Sequence, residues 1–147
     1  MKFDHMGVIT ATLAEGRREM IACLGIREWT QEFTDTVNQV HVQFGRDASG
    51  ICYELLAPLH EQSPIANALR KRSNILNHVA YLVSDLAAEA ERLQSAGAVP
   101  TGEPKPAIAY QNRRIQFFLT PLRFIVELIE APEHQHVYVD SDADRNS

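Results

Sequence analysis

Phe3-Asp4-His5-Met6-Gly7-Val8-Ile9 and Leu76-Asn77-His78-Val79-Ala80-Tyr81-Leu82 are two apolar stretches of the chain that match each other and carry one histidine each. Their histidines, His5 and His78, are 73 residues apart (78 − 5 = 73). The same offset separates Glu54 from Glu127 (127 − 54 = 73), and both glutamates lie in apolar stretches that close their half of the chain. The sequence is therefore a tandem repeat in which each copy supplies one histidine and one glutamate.

The pattern within each copy predicts one strand, one amphipathic helix and three further strands. The first helix stops at Gly25, and the second, capped by Ser84 or Asp85, stops at Gly97. The predicted strands are 3–9, 28–34, 39–44 and 51–56 in the first copy, and 76–83, 105–110, 113–119 and 124–129 in the second. This plan is an α+β fold in which tandem βαβββ modules form a curved mixed sheet with a cleft.

The two modules are expected to share one core, because half of a 147-residue chain buries too little surface to be stable alone. Ser63 as a cap and Pro64 at the first helical position predict a short linker helix between the modules. Beyond Pro132 the sequence predicts a mobile tail, in which His134 and His136 are expected to bind no ligand. The predicted organisation is a single domain at 1–132, with module one at 1–60, the linker helix at 61–74 and module two at 75–132, followed by the tail at 133–147.

Composition restricts the function classes. A net charge of −5 without a basic stripe argues against a nucleic-acid surface. No apolar run is long enough to span a bilayer and no secretory leader is recognisable, so we expect a cytoplasmic protein that does not enter membranes. Cys23 and Cys52 form no CxxC motif, and both are expected to pack as small hydrophobic residues.

The repeated His and Glu pair predicts a metal site. A carboxylate in an apolar strand is costly to bury unless a cation, a hydrogen bond or a proton compensates its charge. Side chains alternate along a strand, so His5 and His78 each point to the core face, and Glu54 and Glu127 do the same. Two imidazoles and two carboxylates suit one divalent ion, namely cobalt, nickel, manganese, zinc or iron. Four such ligands on an octahedral ion leave two positions for substrate oxygens.

These residues resemble the vicinal-oxygen-chelate superfamily, which includes glyoxalase I, bleomycin-resistance proteins, extradiol dioxygenases and methylmalonyl-CoA epimerases. Residues 3–8 look like its opening strand, and residues 77–86 look like the second-module counterpart. Tyr53-Glu54-Leu55-Leu56-Ala57-Pro58-Leu59 followed by Ser63-Pro64-Ile65-Ala66 is similar to the linker of methylmalonyl-CoA epimerases. The resemblance implies metal ligation by His5, Glu54, His78 and Glu127, and a homodimer.

The resemblance implies a metal-dependent isomerase or epimerase that abstracts a proton next to the carbonyl of an acyl thioester, with Glu127 as the base. Epimerases of this type use a second carboxylate on the opposite face of the substrate, and only Asp35 lies near the matching segment. These epimerases often have glutamine at the position of Glu54. The glutamate of this chain gives the set of two histidines and two glutamates that is seen in bacterial glyoxalase I. A glyoxalase I-like lyase acting on a thiol hemithioacetal is therefore an alternative, and a non-catalytic small-molecule binding protein is another.

Further residues are predicted to contact the substrate. Gln43 and Gln116 are again 73 residues apart (116 − 43 = 73) and are predicted to line the cleft. Arg113 and Arg114, or the basic residues at 70–72, are predicted to lie near the phosphates of an acyl-CoA. The remaining histidines, His41 and His60, have no repeat partner and are expected to be structural or exposed.

Overall fold

The computed structural model describes residues 1–141, and they form three α-helices, one short 3₁₀ helix and eleven strands. The strands are β1 (Lys2–Ile9), β2 (Glu28–Thr30), β3 (Phe33–Asp35), β4 (Val40–Arg46), β5 (Cys52–Pro58), β6 (Leu76–Leu82), β7 (Val99–Pro100), β8 (Lys105–Ala107), β9 (Arg113–Leu119), β10 (Ile125–Ile129) and β11 (Tyr138–Ser141). The helices are α1 (Leu13–Leu24), α2 (Ala66–Lys71) and α3 (Leu86–Ser95). The predicted α+β class and the repeated βαβββ plan are confirmed.

All strands belong to one mixed sheet whose main path runs β11-β2-β4-β5-β1-β6-β10-β9-β7. The modules meet at its centre, where β1 pairs with β6 in antiparallel orientation. Each of these two strands has the last strand of its own module as a parallel neighbour, β5 beside β1 and β10 beside β6. The four strands that carry the repeated histidines and glutamates are therefore adjacent.

The second strand of each module is broken into two pieces, which the sequence did not predict. Both β2 and β3 pair with β4, and both β7 and β8 pair with β9. In module one the break follows Thr30, whose hydroxyl accepts a hydrogen bond from the Phe44 amide and so replaces a backbone partner. In module two the break lies at residues 101–104, between β7 and β8. A 3₁₀ helix at Ile108–Tyr110 then follows β8, so the strand predicted at 105–110 is only half as long.

Helices α1 and α3 cover one face of the sheet, and their ends follow the sequence signals. Thr12 caps α1 by accepting a hydrogen bond from the Glu15 amide, and Gly25 ends it with a left-handed φ of 67°. Asp85 caps α3 through the Ala88 amide, as predicted. Helix α1 packs on a cluster that includes Trp29 and Leu55, and α3 packs on one that includes Phe118 and Leu128.

The linker helix begins later than predicted. Helix α2 starts at Ala66 after Ile65, and no side chain caps it. Ser63 instead forms a turn, in which its carbonyl accepts a hydrogen bond from the Ala66 amide. The Ser63 hydroxyl is buried and has no partner within residues 1–141. The prediction of Ser63 as cap was wrong because this side chain points into the protein.

The predicted mobile tail is corrected for residues 133–141. Strand β11 returns to module one and pairs with the free edge of β2, with Tyr138 opposite Thr30. The guanidinium carbon of Arg46 lies 4.2 Å from the centre of the Tyr138 ring, which adds a cation–π contact. The rest of the predicted tail, residues 142–147, lies outside the described residues.

Two further observations bear on the sequence predictions. Cys52 is buried as expected, whereas Cys23 is exposed because it lies on the outer side of α1. Within residues 1–141, every helix is too short or too polar to cross a lipid bilayer.

Small residues at equivalent repeat positions let the two modules close on each other. Gly7 lies opposite His78 in the β1/β6 pair, and Ala80, its repeat equivalent, lies opposite His5. A Cβ atom built on Gly7 would overlap the ring of His78. The imidazole therefore occupies the space that a side chain at position 7 would need.

We expect Gly7→Ala to lower the free energy of unfolding by about 1–3 kcal/mol, because the His78 ring must move or the strands must separate. Denaturant unfolding of the full chain measures this change. Gly102→Ala is the matched control, since a Cβ atom there meets nothing within 4 Å. Equal unfolding free energies for the two variants would contradict the packing of His78 over Gly7.

Candidate metal centre

The four predicted ligand residues converge on one buried point. The Nε2 atoms of His5 and His78 are 3.1 Å apart. Glu54 Oε1 lies 3.5 Å from each of these nitrogens, and Glu127 Oε2 lies 3.3 Å from that of His5 and 3.0 Å from that of His78. All four side chains are buried. The structure thus brings together the whole quartet that the 73-residue offset indicated.

The sheet register explains this convergence. In one row across the four central strands, Glu54 on β5 is next to Gly7 on β1, which is next to His78 on β6. In the neighbouring row, His5 is next to Ala80, which is next to Glu127 on β10. In each row the small residue therefore lies between a glutamate and a histidine. The longer side chains of these two neighbours extend over the small residue and approach those of the other row.

The arrangement fits a divalent ion. Ligand atoms about 2.1 Å from one ion, at angles of about 90–110°, lie about 3.0–3.4 Å from each other. The measured separations between imidazole nitrogens and carboxylate oxygens, 3.0 to 3.5 Å, match this spacing. Glu127 Oε2 is also buried without a hydrogen-bond partner in residues 1–141, although such an oxygen requires a compensating charge or donor. These residues would hold the ion through two nitrogens and two oxygens.

The other ring nitrogen of each histidine is held by the preceding residue. Asp4 Oδ2 accepts a hydrogen bond from His5 Nδ1 at 2.7 Å, and Asn77 Oδ1 lies 2.9 Å from His78 Nδ1. A hydrogen bond at Nδ1 leaves Nε2 free to ligate a metal and fixes the ring orientation. Asp4 and Asn77 are also 73 residues apart (77 − 4 = 73), so the offset could have identified them in the sequence.

Electrostatic coupling in the quartet is strong. Burial disfavours the charged imidazole of His5, but the negative charge of Glu54 and the hydrogen bond to Asp4 outweigh burial and raise the pKa of His5 well above its usual value. The pKa of His78 is set in the same way: burial lowers it, but the contacts of the ring with the carboxylates of Glu127 and Glu54 outweigh burial and raise it. Burial opposes ionisation of Glu54, yet His5 and His78 lower its pKa to about 2. The site therefore favours positive charge between its two carboxylates.

A cleft of about 240 Å³ opens above the quartet, and Glu54 and Glu127 form part of its lining. Its walls are largely apolar and include Val40, Val42, Leu56, Ile65, Ala107, Ala109, Tyr110, Ile115 and Phe117. Lys105 is the one cationic side chain among the described residues that line it. The sheet curls around this space, as shown by the 2.9 Å hydrogen bond from Asn38 Nδ2, after β3, to the Pro106 carbonyl in β8.

The prediction that Gln43 and Gln116 line the cleft was wrong. Gln43 is paired with Leu55 rather than Glu54, and Gln116 is paired with Leu128 rather than Glu127, so both lie on the helix-covered face. The Gln43 amide donates to the Thr30 carbonyl and its oxygen accepts from Arg17. The Gln116 amide donates to the Gly102 carbonyl. A side-chain period of two places neighbouring residues of a strand on opposite faces.

Three further predicted residues have partners that limit their availability. Arg114 forms an ion pair with Glu130, and Arg113 donates a hydrogen bond to the Glu130 carbonyl. Neither arginine is among the residues that line the cleft. Asp35 does line it, but its two oxygens accept hydrogen bonds from the backbone and side-chain amides of Asn38. A role for Asp35 as a base stays a prediction.

Two histidines outside the quartet lie as the sequence analysis expected. His41 forms a hydrogen bond with Thr34, and His60 is exposed.

Comparison with known proteins identifies the family. Residues 4–117 match the Glyoxalase/Bleomycin resistance protein/Dioxygenase superfamily. The ethylmalonyl-CoA/methylmalonyl-CoA epimerase of Cereibacter sphaeroides is 40% identical over 78 residues, which cover 52% of this chain and only 58% of that protein. The crystal structure of methylmalonyl-CoA epimerase from Mycobacterium tuberculosis has a TM-score of 0.72 and 28% identity, covering 87% of this chain and 86% of that one. A variant of the Streptomyces coelicolor methylmalonyl-CoA epimerase in complex with 2-nitronate-propionyl-CoA shares the fold, with a TM-score of 0.71 and 22% identity over 88% of this chain and 93% of that one. The chain belongs to the glyoxalase, bleomycin-resistance protein and dioxygenase superfamily.

Proposed function

We propose that this protein is a metal-dependent epimerase that moves a proton at the carbon next to the carbonyl of an acyl thioester. The observation that carries the proposal is the quartet of His5, His78, Glu54 and Glu127, whose two carboxylates reach the floor of an apolar cleft while the two imidazoles lie behind them. The similarity to methylmalonyl-CoA epimerases supports a thioester substrate, such as an acyl-CoA, over other carbonyl compounds.

The chemistry divides between the ion and the protein. A divalent ion held by the quartet would polarise the substrate carbonyl and stabilise the negative charge that develops on its oxygen. Glu127 accepts the proton from the neighbouring carbon, because it lines the cleft and, as a ligand of the ion, would be displaceable by the substrate. The apolar walls exclude water from the reacting carbon, which strengthens both interactions.

Inversion at carbon requires a proton to return from the opposite face. Asp35 lies on the cleft wall contributed by β3. It is the carboxylate that the sequence analysis assigned to the opposite face of the substrate. Two of its hydrogen bonds come from Asn38, and the Ile108 amide lies 3.4 Å from its Oδ2. These contacts occupy both oxygens of Asp35, so it can take part in proton transfer only if one of them opens.

A glyoxalase I-like lyase is the second candidate, and Glu54 is the residue that favours it. The structure gives Glu54 and Glu127 matching positions on β5 and β10, with each carboxylate within 3.5 Å of both imidazoles. A symmetric pair of carboxylates serves proton transfer on either face of a hemithioacetal. A non-catalytic binding protein of the same fold would not require two histidines and two glutamates that are all buried and converge on one point. A homodimer and a cytoplasmic location remain predictions.

We expect one divalent ion per chain and a higher melting temperature when cobalt, nickel, manganese or zinc is added, because only the folded protein brings the ligands together. At an ion concentration of about 100 times Kd, the folded state gains about 2.7 kcal/mol. The measurement is thermal unfolding of the tag-free protein, with the metal content determined separately. His78→Ala should abolish the metal-dependent part of the shift.

His41→Ala is the control for that experiment, because His41 lies outside the quartet and bonds only to Thr34 among its described neighbours. It should retain the full metal-dependent shift. Wild-type protein that neither binds an ion nor changes its melting temperature would refute the metal site.

We expect Glu127→Gln to reduce proton exchange at the carbon next to the substrate carbonyl by about 100-fold or more, the usual contribution of a positioned base. The amide cannot accept the proton, but it preserves the shape of the side chain. Deuterium incorporation from heavy water into propionyl-CoA, methylmalonyl-CoA and a glutathione hemithioacetal, followed by mass spectrometry, measures this and identifies the substrate class. Exchange that survives in the variant would show that another group is the base.

Asp35→Asn distinguishes one base from two. If Asp35 serves the opposite face, the variant should lose inversion while Glu127 continues to exchange the proton on its own face. Chiral analysis of the product beside deuterium incorporation separates these two outcomes. Unchanged inversion would assign both proton transfers to the glutamates of the quartet.

A further inference from the structure

The segment that follows β10 returns to module one and reaches the back of the quartet. Within it, His136 Nε2 donates a hydrogen bond to Asp4 Oδ2 at 2.9 Å. The His136 ring stacks on Phe44, with 4.2 Å between ring centres and 30° between planes. Phe44 in turn meets the His5 ring edge-on at 5.3 Å. Pairing of β11 with β2 anchors the end of this segment, so His136 is held from both sides.

One oxygen of Asp4 collects three hydrogen bonds from three parts of the chain. His5 Nδ1 lies 2.7 Å, the Tyr110 hydroxyl 2.6 Å and His136 Nε2 2.9 Å from Asp4 Oδ2. A carboxylate oxygen accepts hydrogen bonds, so each of these three partners donates its hydrogen to Asp4 Oδ2.

The second module has no equivalent of this arrangement. His78 Nδ1 meets the neutral amide oxygen of Asn77, and that oxygen has no other hydrogen-bond partner in residues 1–141. A charged acceptor makes a hydrogen bond roughly twice as strong as a neutral one. The two histidines of the quartet are therefore supported differently, and the extra support on the His5 side comes from Tyr110 and His136.

We propose that His136 is a positioning residue of the metal centre, which acts through Asp4 to fix the orientation of the His5 imidazole. This inference rests on the proposed function, because it presupposes that His5 ligates an ion. Three donors on one oxygen leave Asp4 a single orientation, and that orientation directs His5 Nε2 toward the other ligands. Without His136 the carboxylate regains rotational freedom, and His5 must be ordered each time an ion binds. The C-terminal segment thus completes the metal centre.

His136→Phe tests the proposal, because phenylalanine keeps the stacking on Phe44 and removes the hydrogen bond to Asp4. We expect the affinity for cobalt(II), measured by competition with a chelator on the tag-free full-length protein, to fall by about 10- to 100-fold, as for other residues that orient metal ligands. The visible absorption spectrum of the bound cobalt(II) should also change, because it reports the ligand geometry. A merely structural role would leave that spectrum unaltered.

His60→Phe is the matched control, since it makes the same substitution at an exposed loop position. It should bind cobalt(II) with wild-type affinity and spectrum. Tyr110→Phe removes another donor to Asp4 and keeps the ring, so it should weaken binding in the same way; it decides the question if His136→Phe does not fold.

Two outcomes would overturn the proposal while leaving the proposed function intact. One is unchanged affinity and spectrum in both His136→Phe and Tyr110→Phe. The other is two ions per chain in the wild type and one in His136→Phe, which would make His136 a ligand of a second site formed with Asp4 and His5. Wild-type protein that binds no cobalt(II) would overturn the proposed function as well.

Discussion

Four ionisable side chains share one desolvated point at the centre of the sheet, and the rest of the structure accommodates this constraint. Two buried carboxylates cannot lie within 3.5 Å of the same imidazoles unless positive charge compensates them. Protonation of His5 and His78, whose pKa values are raised by the neighbouring carboxylates, would supply two positive charges. One divalent ion supplies the same charge and leaves the imidazoles neutral. Exchange of two protons for one ion therefore keeps the buried quartet electrically balanced.

The repeat supplies the ligands in equivalent pairs, but the modules are not equivalent in their support. The pairing of β1 with β6 places the ligand strands side by side, and Gly7 and Ala80 make room for the long side chains between them. Behind His5 stands a carboxylate that receives donors from module two and from the C-terminal segment, whereas behind His78 stands a single amide. The asymmetry arises because the segment after β10 packs on module one, where β11 pairs with β2 and His136 meets Asp4.

The carboxylates and the imidazoles of the quartet lie at different depths below the cleft. Glu54 and Glu127 reach the lining, while the imidazoles lie beneath them and hold the carboxylates in position. A substrate that enters between the apolar walls meets the carboxylates first, which suits proton transfer at carbon. Whether one or two faces of the substrate are served depends on the wall near Asp35, where Asn38 occupies both carboxylate oxygens.

The sequence by itself determined the repeat, the α+β plan and the four residues of the quartet, because the 73-residue offset and the alternation along each strand follow from the order of the residues alone. It also contained Asp4 and Asn77 at the same offset. Only the tertiary structure decided that Gln43 faces the helices rather than the cleft, because the face of a strand depends on its register with the neighbouring strand. It alone placed His136 behind His5 of the quartet, through Asp4. Contacts between residues 132 positions apart depend on how the whole sheet curls, and no local pattern in the sequence records that curvature.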